Sequence, residues 1–385
     1  RSAIKTGFEK AMSAIVDGNI TTLIAAAVLG AMGSGSVKGF AMTLALGIVL
    51  SMFTALVISR LLVNAFYAVG LRDEKFYGKQ KERKNIDFLG KRKLFFTISV
   101  ILILLVPVGM GVFHVKDGKA LNYSLEFMGG TSTNVTFNDD MSIDDLDSQV
   151  KPVVQEVTGD ANIQISKVAD SNAVIIKTRS LSLDEREELN QKLVDSFGVD
   201  DSKITAESIS STVSSEMRRD AIVAVLIATI CMLLYIWFRF KDVRFASSAV
   251  LALLHDVMVV LAFYALSRIS VGNTFIACML TIVGYSINAT IVIFDRIREN
   301  LKSAGKKADL KELVNMSITQ TLTRSIYTSF TTFITIFVVF VMGVSSIREF
   351  ALPIMVGIVC GAYSSVCITG ALWYVMKTKL GKSTK

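Results

Sequence analysis

Eight stretches of the chain are apolar for long enough to cross a bilayer, which takes about 20 residues as a helix. They cover 18–36, 38–66, 94–114, 219–239, 244–267, 272–294, 321–343 and 347–376. Between the third and the fourth the pattern changes. Residues 142–158 and 182–197 repeat apolar positions at helical spacing. Each opens on a serine with an acid three places on, Asp145 and Glu185, which is the pattern of a capping box. Residues 125–137 around Gly129-Gly130, 163–168, 173–178 and 203–209 read as strands, with Asp170-Ser171-Asn172 as a hairpin turn. The order strand, helix, strand, strand, helix, strand predicts a ferredoxin-like α+β domain over 115–217.

One span departs from the rest. It is apolar from Phe275 to Val283, then carries Gly284, Tyr285, Ser286, Asn288 and Thr290, and ends in Asp295-Arg296-Ile297-Arg298-Glu299-Asn300. Polar groups are costly in hydrocarbon unless they meet a partner or a water path. This helix is therefore expected to face the inside of a bundle.

Charge sets the expected orientation. Arg72, Lys75, Lys79, Lys81, Arg83, Lys84, Lys91, Arg92 and Lys93 lie between the second and third spans. Arg296, Arg298, Lys302, Lys306, Lys307 and Lys311 form another basic loop, Arg239, Lys241 and Arg244 a short one, and Lys377, Lys379, Lys382 and Lys385 the tail. These are alternate loops, so the positive-inside rule places them and both termini in the cytoplasm. The 115–217 domain then lies outside. From Lys116 to Glu216 there are 19 acids against 9 bases, a net of −10, which leaves +18 on the rest of a chain whose total is +8. The basic balance follows topology and does not indicate nucleic acid. Composition agrees with a membrane protein: 52% hydrophobic and 19% charged residues, with three prolines. Cys231, Cys278, Cys360 and Cys367 all fall in apolar runs and read as buried small hydrophobes. No disulfide framework, cofactor, metal or nucleotide site is expected, and no catalytic grouping is found.

The chain repeats itself at an offset of 310. Lys38, Phe40, Ala41, Gly47, Ile48, Val49 and Phe53 match Arg348, Phe350, Ala351, Gly357, Ile358, Val359 and Tyr363. Thr21, Thr22, Met32 and Gly33 match Thr331, Thr332, Met342 and Gly343. The first two spans therefore read as the end of a unit equivalent to the one that follows. Parallel repeats are a transporter architecture. The chain opens at Arg1, so the rest of the first unit is expected before it, in the same or another chain.

At this point a resemblance enters. Ile15-Val16-Asp17-Gly18-Asn19-Ile20-Thr21-Thr22-Leu23 and Lys38-Gly39-Phe40-Ala41-Met42-Thr43-Leu44 resemble the end of SecD. Tyr123-Ser124-Leu125-Glu126-Phe127-Met128-Gly129-Gly130-Thr131, Leu254-His255-Asp256-Val257, Gly284-Tyr285-Ser286-Ile287-Asn288 and Phe294-Asp295-Arg296-Ile297-Arg298-Glu299-Asn300 resemble SecF. The two occur together as in the fused SecDF family. The resemblance implies a polytopic helical protein of the bacterial cytoplasmic membrane with an RND-like bundle. It implies an accessory subunit of the Sec translocase, partnered with the SecYEG channel, exported preproteins and lipid, and driven by a proton or sodium gradient. On this reading 1–70 closes the SecD-like half, 71–93 is a basic linker, and 94–114 is the first SecF-like span. The outer domain is 115–217, the five-span bundle 218–376 and the tail 377–385. An RND-type efflux pump and a non-coupled assembly or chaperone subunit are the alternatives; an outer domain of about 100 residues is small for the pump.

One position departs from the family pattern. An Asp is expected after Gly-Tyr-Ser-Ile-Asn, but the triplet here is Asn288-Ala289-Thr290. The resemblance assigns the ion path to 288–290 and sets Arg324 facing the absent carboxylate; from the residues alone Arg324 reads as a snorkelling arginine near the start of its span. Asp256 and His255 lie mid-span; as adjacent helical positions, at most one is expected to point fully inward. Asp295 and Arg296 are expected to anchor the cytoplasmic end or form a local ion pair, and Thr21, Thr22, Thr331 and Thr332 to serve helix packing.

Overall fold

A computed structural model describes residues 2–33, 35–73, 76–77, 84–118, 120–160, 163–168, 171–304, 308–343 and 345–379. Lys75, Lys79, Lys81, Arg83, Lys306, Lys307, Lys382, Lys385 and the turn residue Asp170 lie outside them. In chain order the elements are α1 (Ser2–Met32), α2 (Gly35–Phe53), a π turn (Thr54–Ile58), α3 (Ser59–Val69), α4 (Arg92–Asp117), α5 (Leu125–Met128) and β1 (Gly130–Thr136). There follow α6 (Ile143–Asp145), a π turn (Leu146–Val150), α7 (Lys151–Thr158), β2 (Gln164–Lys167), β3 (Ala173–Thr178), α8 (Leu183–Phe197) and β4 (Ile204–Ile209). Last come α9 (Ser211–Phe240), α10 (Val243–Ser267), α11 (Asn273–Ser303), α12 (Leu310–Met342), α13 (Ser345–Tyr363), a π turn (Ser364–Thr369) and α14 (Gly370–Lys379).

Eight helices among the described residues are long and apolar enough to cross a membrane, as the pattern predicts. Several outrun their apolar cores. α1 begins at Ser2, not at 18, and α12 begins at Leu310, not at 321. Asp309 caps α12, accepting from the backbone N–H of Lys311 at 2.9 Å. Hydropathy finds only the part that lipid demands, while good helix formers carry the helix further. Arg324 thus sits well inside its helix rather than near its start.

The helical unit comprises Arg1–Leu121, Val223–Ile269 and Asn273–Lys385. α11 is its centre: 78% of its most apolar stretch is buried, against 11% for α12. Its core gathers Phe240, Phe245, Phe294 and Trp373. Phe245 stacks on Trp373 at 4.9 Å between centroids and meets Phe294 edge-on at 4.7 Å. Gly284 lets α1 close on α11, since a Cβ there would lie 3.0 Å from Cα of Thr22. The sequence repeat has structural counterparts. Phe40 and Phe350, equivalent at the offset of 310, meet edge-to-face at 5.2 Å. The π turns at Thr54 and Ser364 start at that same offset.

Within the basic linker, 85–90 is held on α12. Asp87 accepts from Asn315 Nδ2 at 2.7 Å and Lys311 Nζ at 3.1 Å, while Leu89 N–H donates to Asn315 Oδ1 at 3.0 Å.

The second unit is Asn122–Ile222 with Ser270–Gly272. Its four strands are ordered β2-β3-β1-β4 and every neighbouring pair is antiparallel. Val135, Val174, Ile176 and Ile204 from the strands pack with Leu146, Val150, Val154, Leu189 and Leu193 from the helices. One expected strand is corrected. Residues 125–128 form the short helix α5, and the strand starts only at Gly130. Gly129 and Gly130 both have positive φ, 73° and 117°, and that backbone turns the chain sharply. Both capping boxes form, at Ser142 with Asp145 and at Ser182 with Glu185.

The second box gives this unit an acid-sensitive contact. The Arg179 guanidinium, and next the Ser182 backbone N–H, hold the Glu185 carboxyl at about 2, below its ordinary 4.5. A depressed folded value stabilises above the unfolded one and loses that contribution as pH falls through the folded one. Hydrogen-exchange protection in the first turn of α8 is therefore expected to be constant above pH 4.5 and to fall from there toward pH 2. Glu185→Gln should remove the dependence; equal acid sensitivity in that variant would refute the assignment.

Candidate functional site

Asp256 on α10 is fully buried and has four partners. Oδ2 accepts from Ser286 Oγ on α11 and from Ser364 Oγ at 2.7 Å. Oδ1 lies 2.9 Å from His255 Nδ1 and 3.2 Å from Cys360 Sγ, which donates to it. Ser364 opens the π turn that follows α13. Such turns re-aim the side chains they carry and recur at functional sites. Here the next serine is redirected as well: Ser365 Oγ donates to the Ser286 carbonyl and lies 3.2 Å from Thr290 Oγ1. Contrary to the expectation from adjacency, His255 and Asp256 are both buried. Neighbouring helical Cβ atoms diverge, but the imidazole is long enough to return to its neighbour's carboxylate.

A second site lies between α11 and α12. Tyr285, Asn288, Ala289, Val292, Arg324, Ser325, Thr328 and Ser329 line a cavity of about 70 Å³. That is room for a water molecule or two at roughly 30 Å³ each. Arg324 makes no side-chain hydrogen bond or ion pair among the described residues; Thr328 Oγ1 bonds only its backbone carbonyl. Asn288 is also packed by α1, where a Cβ at Gly18 would fall 2.5 Å from Asn288 Oδ1.

The residues expected to share one ion path therefore divide. Asn288, Ala289 and Arg324 meet at the cavity. Thr290 joins Ser365 in the hydroxyl cluster around Asp256. Positions 285, 288, 289 and 292 share one helical face, and 286 and 290 another.

Asp295 and Arg296 do not end α11, which continues to Ser303. Arg296 pairs locally with Glu299 at 2.8 Å. Asp295 reaches across to Arg239 on α9 at 3.5 Å. That arginine is the hub of a network the sequence reading missed. Its Nε donates to Asp17 Oδ2 at 2.7 Å, and Tyr235 Oη donates to Asp17 Oδ1 at 2.8 Å. Asp17 on α1 is 5% exposed. The one signal was an acid at the edge of an apolar run; setting that span's start at 18 left Asp17 in a loop. Thr22 serves packing as expected, reaching the Gly284 carbonyl at 3.4 Å. Thr331 and Thr332 bond only their own helix among the described residues.

The family model for "Protein export membrane protein SecD/SecF, C-terminal" matches residues 189–379. The chain is 35% identical over 371 residues to protein translocase subunit SecDF of Brucella abortus, covering 96% of this chain and 48% of that one. Against the crystal structure of SecDF, a translocon-associated membrane protein of Thermus thermophilus, the TM-score is 0.82 at 34% identity. That match covers 98% of this chain and 50% of the other. The chain thus spans about half the length of the SecDF relatives it matches. Its eight apolar helices and this fold likeness make it a polytopic helical membrane protein. To protein translocase subunit SecF of Calditerrivibrio nitroreducens it is 36% identical over 304 residues, 77% of this chain and 96% of that one. With nearly the whole of a SecF subunit matched at that identity, the chain belongs to the SecD/SecF family of protein export membrane proteins.

Proposed function

We propose that this chain is an accessory subunit of the Sec translocase that assists export across the bacterial inner membrane in contact with the SecYEG channel. Its near-complete coverage of a SecF subunit carries the reading. We place both termini in the cytoplasm and the 122–222 unit outside as a ferredoxin-like domain; its strand order β2-β3-β1-β4 and acidic balance support this. Coupling to an ion gradient belongs to the cavity of Asn288, Ala289 and Arg324, where a cation and hydroxyls surround a small space. Thr290 and Asp256 flank it from the opposite face of α11. Ala289 favours a second reading, a subunit that supports the channel without coupling, because the cavity has no acid.

Depletion of the protein is expected to slow the export of secretory proteins before drug sensitivity changes, and detergent extracts should co-isolate the SecYEG channel with it. Normal export with altered drug efflux would overturn the proposal in favour of an efflux pump.

A further inference from the structure

We infer that His255, Asp256 and Cys360 form a binding site for a borderline-soft divalent metal, Zn²⁺ being the natural occupant, where α10, α11 and α13 meet. Nδ1, Oδ1 and Sγ all lie within 4.8 Å of one another. The separations are 2.9 Å from His255 to Asp256, 3.2 Å from Cys360 to Asp256 and 3.9 Å from Cys360 to His255. Tetrahedral zinc, with bonds of about 2.0–2.3 Å, spaces its donors roughly 3.3–3.8 Å apart. An ion at the centre of the three therefore asks for shifts of about half an ångström. Imidazole, thiolate and carboxylate together select zinc and its neighbours over Na⁺, Mg²⁺ or Ca²⁺, which take oxygen ligands.

Charge and surroundings favour the same occupant. A thiolate and a carboxylate carry two negative charges, which a divalent ion cancels. A neutral cluster is the least costly ionic arrangement in a low-dielectric interior. The unused carboxylate oxygen is already oriented, since Oδ2 accepts from Ser286 and Ser364. Such outer hydrogen bonds fix ligating carboxylates in metal sites. On binding, Cys360 gives its thiol proton to solvent. His255 ligates through Nδ1 with its proton on Nε2, the buried nitrogen that has no hydrogen-bond partner among the described residues. One ion enters and one proton leaves. Three protein ligands leave one coordination position open. The ion would clamp α13 to α10 beside the π turn and hold Asp256 permanently ionised, leaving proton exchange to the cavity on the other side of α11. The site does not depend on the function proposed above, and its test measures metal, not export.

The chain purified in detergent, after removal of loosely bound ions, is expected to retain about one zinc per molecule by mass spectrometry, as a buried site with three protein ligands should. Exchange with Co²⁺ should give a sulfur-to-cobalt charge-transfer band. The protein has only four cysteines and two histidines, so the band is assignable. Cys360→Ser should abolish it and weaken binding at least about tenfold, whereas Cys367→Ser should leave both unchanged. Wild-type protein that holds no metal and shows no cobalt–thiolate band overturns the inference, whether or not the variants fold. So does a band that survives Cys360→Ser.

Discussion

Arg239→Leu is expected to destabilise this protein by about 3 kcal/mol, the low end of the range for removing one partner of a buried ion pair, because Asp17 is buried while the Arg239 side chain is 22% exposed. The effect is large because one guanidinium serves two carboxylates on two other helices. Asp17 lies 2.7 Å away on α1 and Asp295 3.5 Å away on α11, with side chains 8% and 26% exposed. Without Arg239, Asp17 keeps the hydroxyl donors Tyr235 and Ser13 among the described residues. Asp17→Asn in the Arg239→Leu background should recover part of the loss, since it removes the stranded charge. Thermal unfolding in detergent of both single variants and the double variant closes the cycle. An Arg239→Leu protein within about 0.5 kcal/mol of the original, the range of ordinary surface substitutions, would show that the network contributes nothing.

Ala289→Asp is expected to raise export that an uncoupler abolishes, with Arg324→Ala cancelling the gain. Both positions line the same cavity, so a carboxylate at 289 enters the space beside a cation that has no side-chain partner among the described residues. An arginine inside a span costs ~2.5–3.5 kcal/mol by insertion scales, which bounds the accompanying stabilisation. The measurement is export by membrane vesicles with and without uncoupler. If Ala289→Asp changes nothing while Asp256→Asn removes the uncoupler-sensitive part, coupling runs through Asp256 and the cavity assignment fails.

Asp17 and Cys360 show where reading the chain reached its limit. Asp17 fell just outside the predicted start of its span, so nothing required a partner for it. Its partners stand 218 and 222 positions away. Cys360 looked like any small apolar residue, and only packing brings its sulfur to Asp256. Arg324 and Ala289, which the family resemblance pairs, line one cavity.

The chain by itself determined the eight spans, the capped helices Ile143–Asp145 and Leu183–Phe197, and the strand segments after Gly130. Each rests on local free energy: hydrocarbon demands an unbroken apolar run, and a cap needs a serine and an acid three places apart. Tertiary structure alone decided how α11 is rotated. That rotation sends Ser286 and Thr290 to one side and Asn288 and Ala289 to the other. The polar residues at 285, 286, 288 and 290 point to more than one side of the helix, so no single stripe chooses a face. The choice falls to neighbours distant in sequence: Gly18 and Thr22 packing close on one side, and a π turn presenting Ser364 and Ser365 on the other.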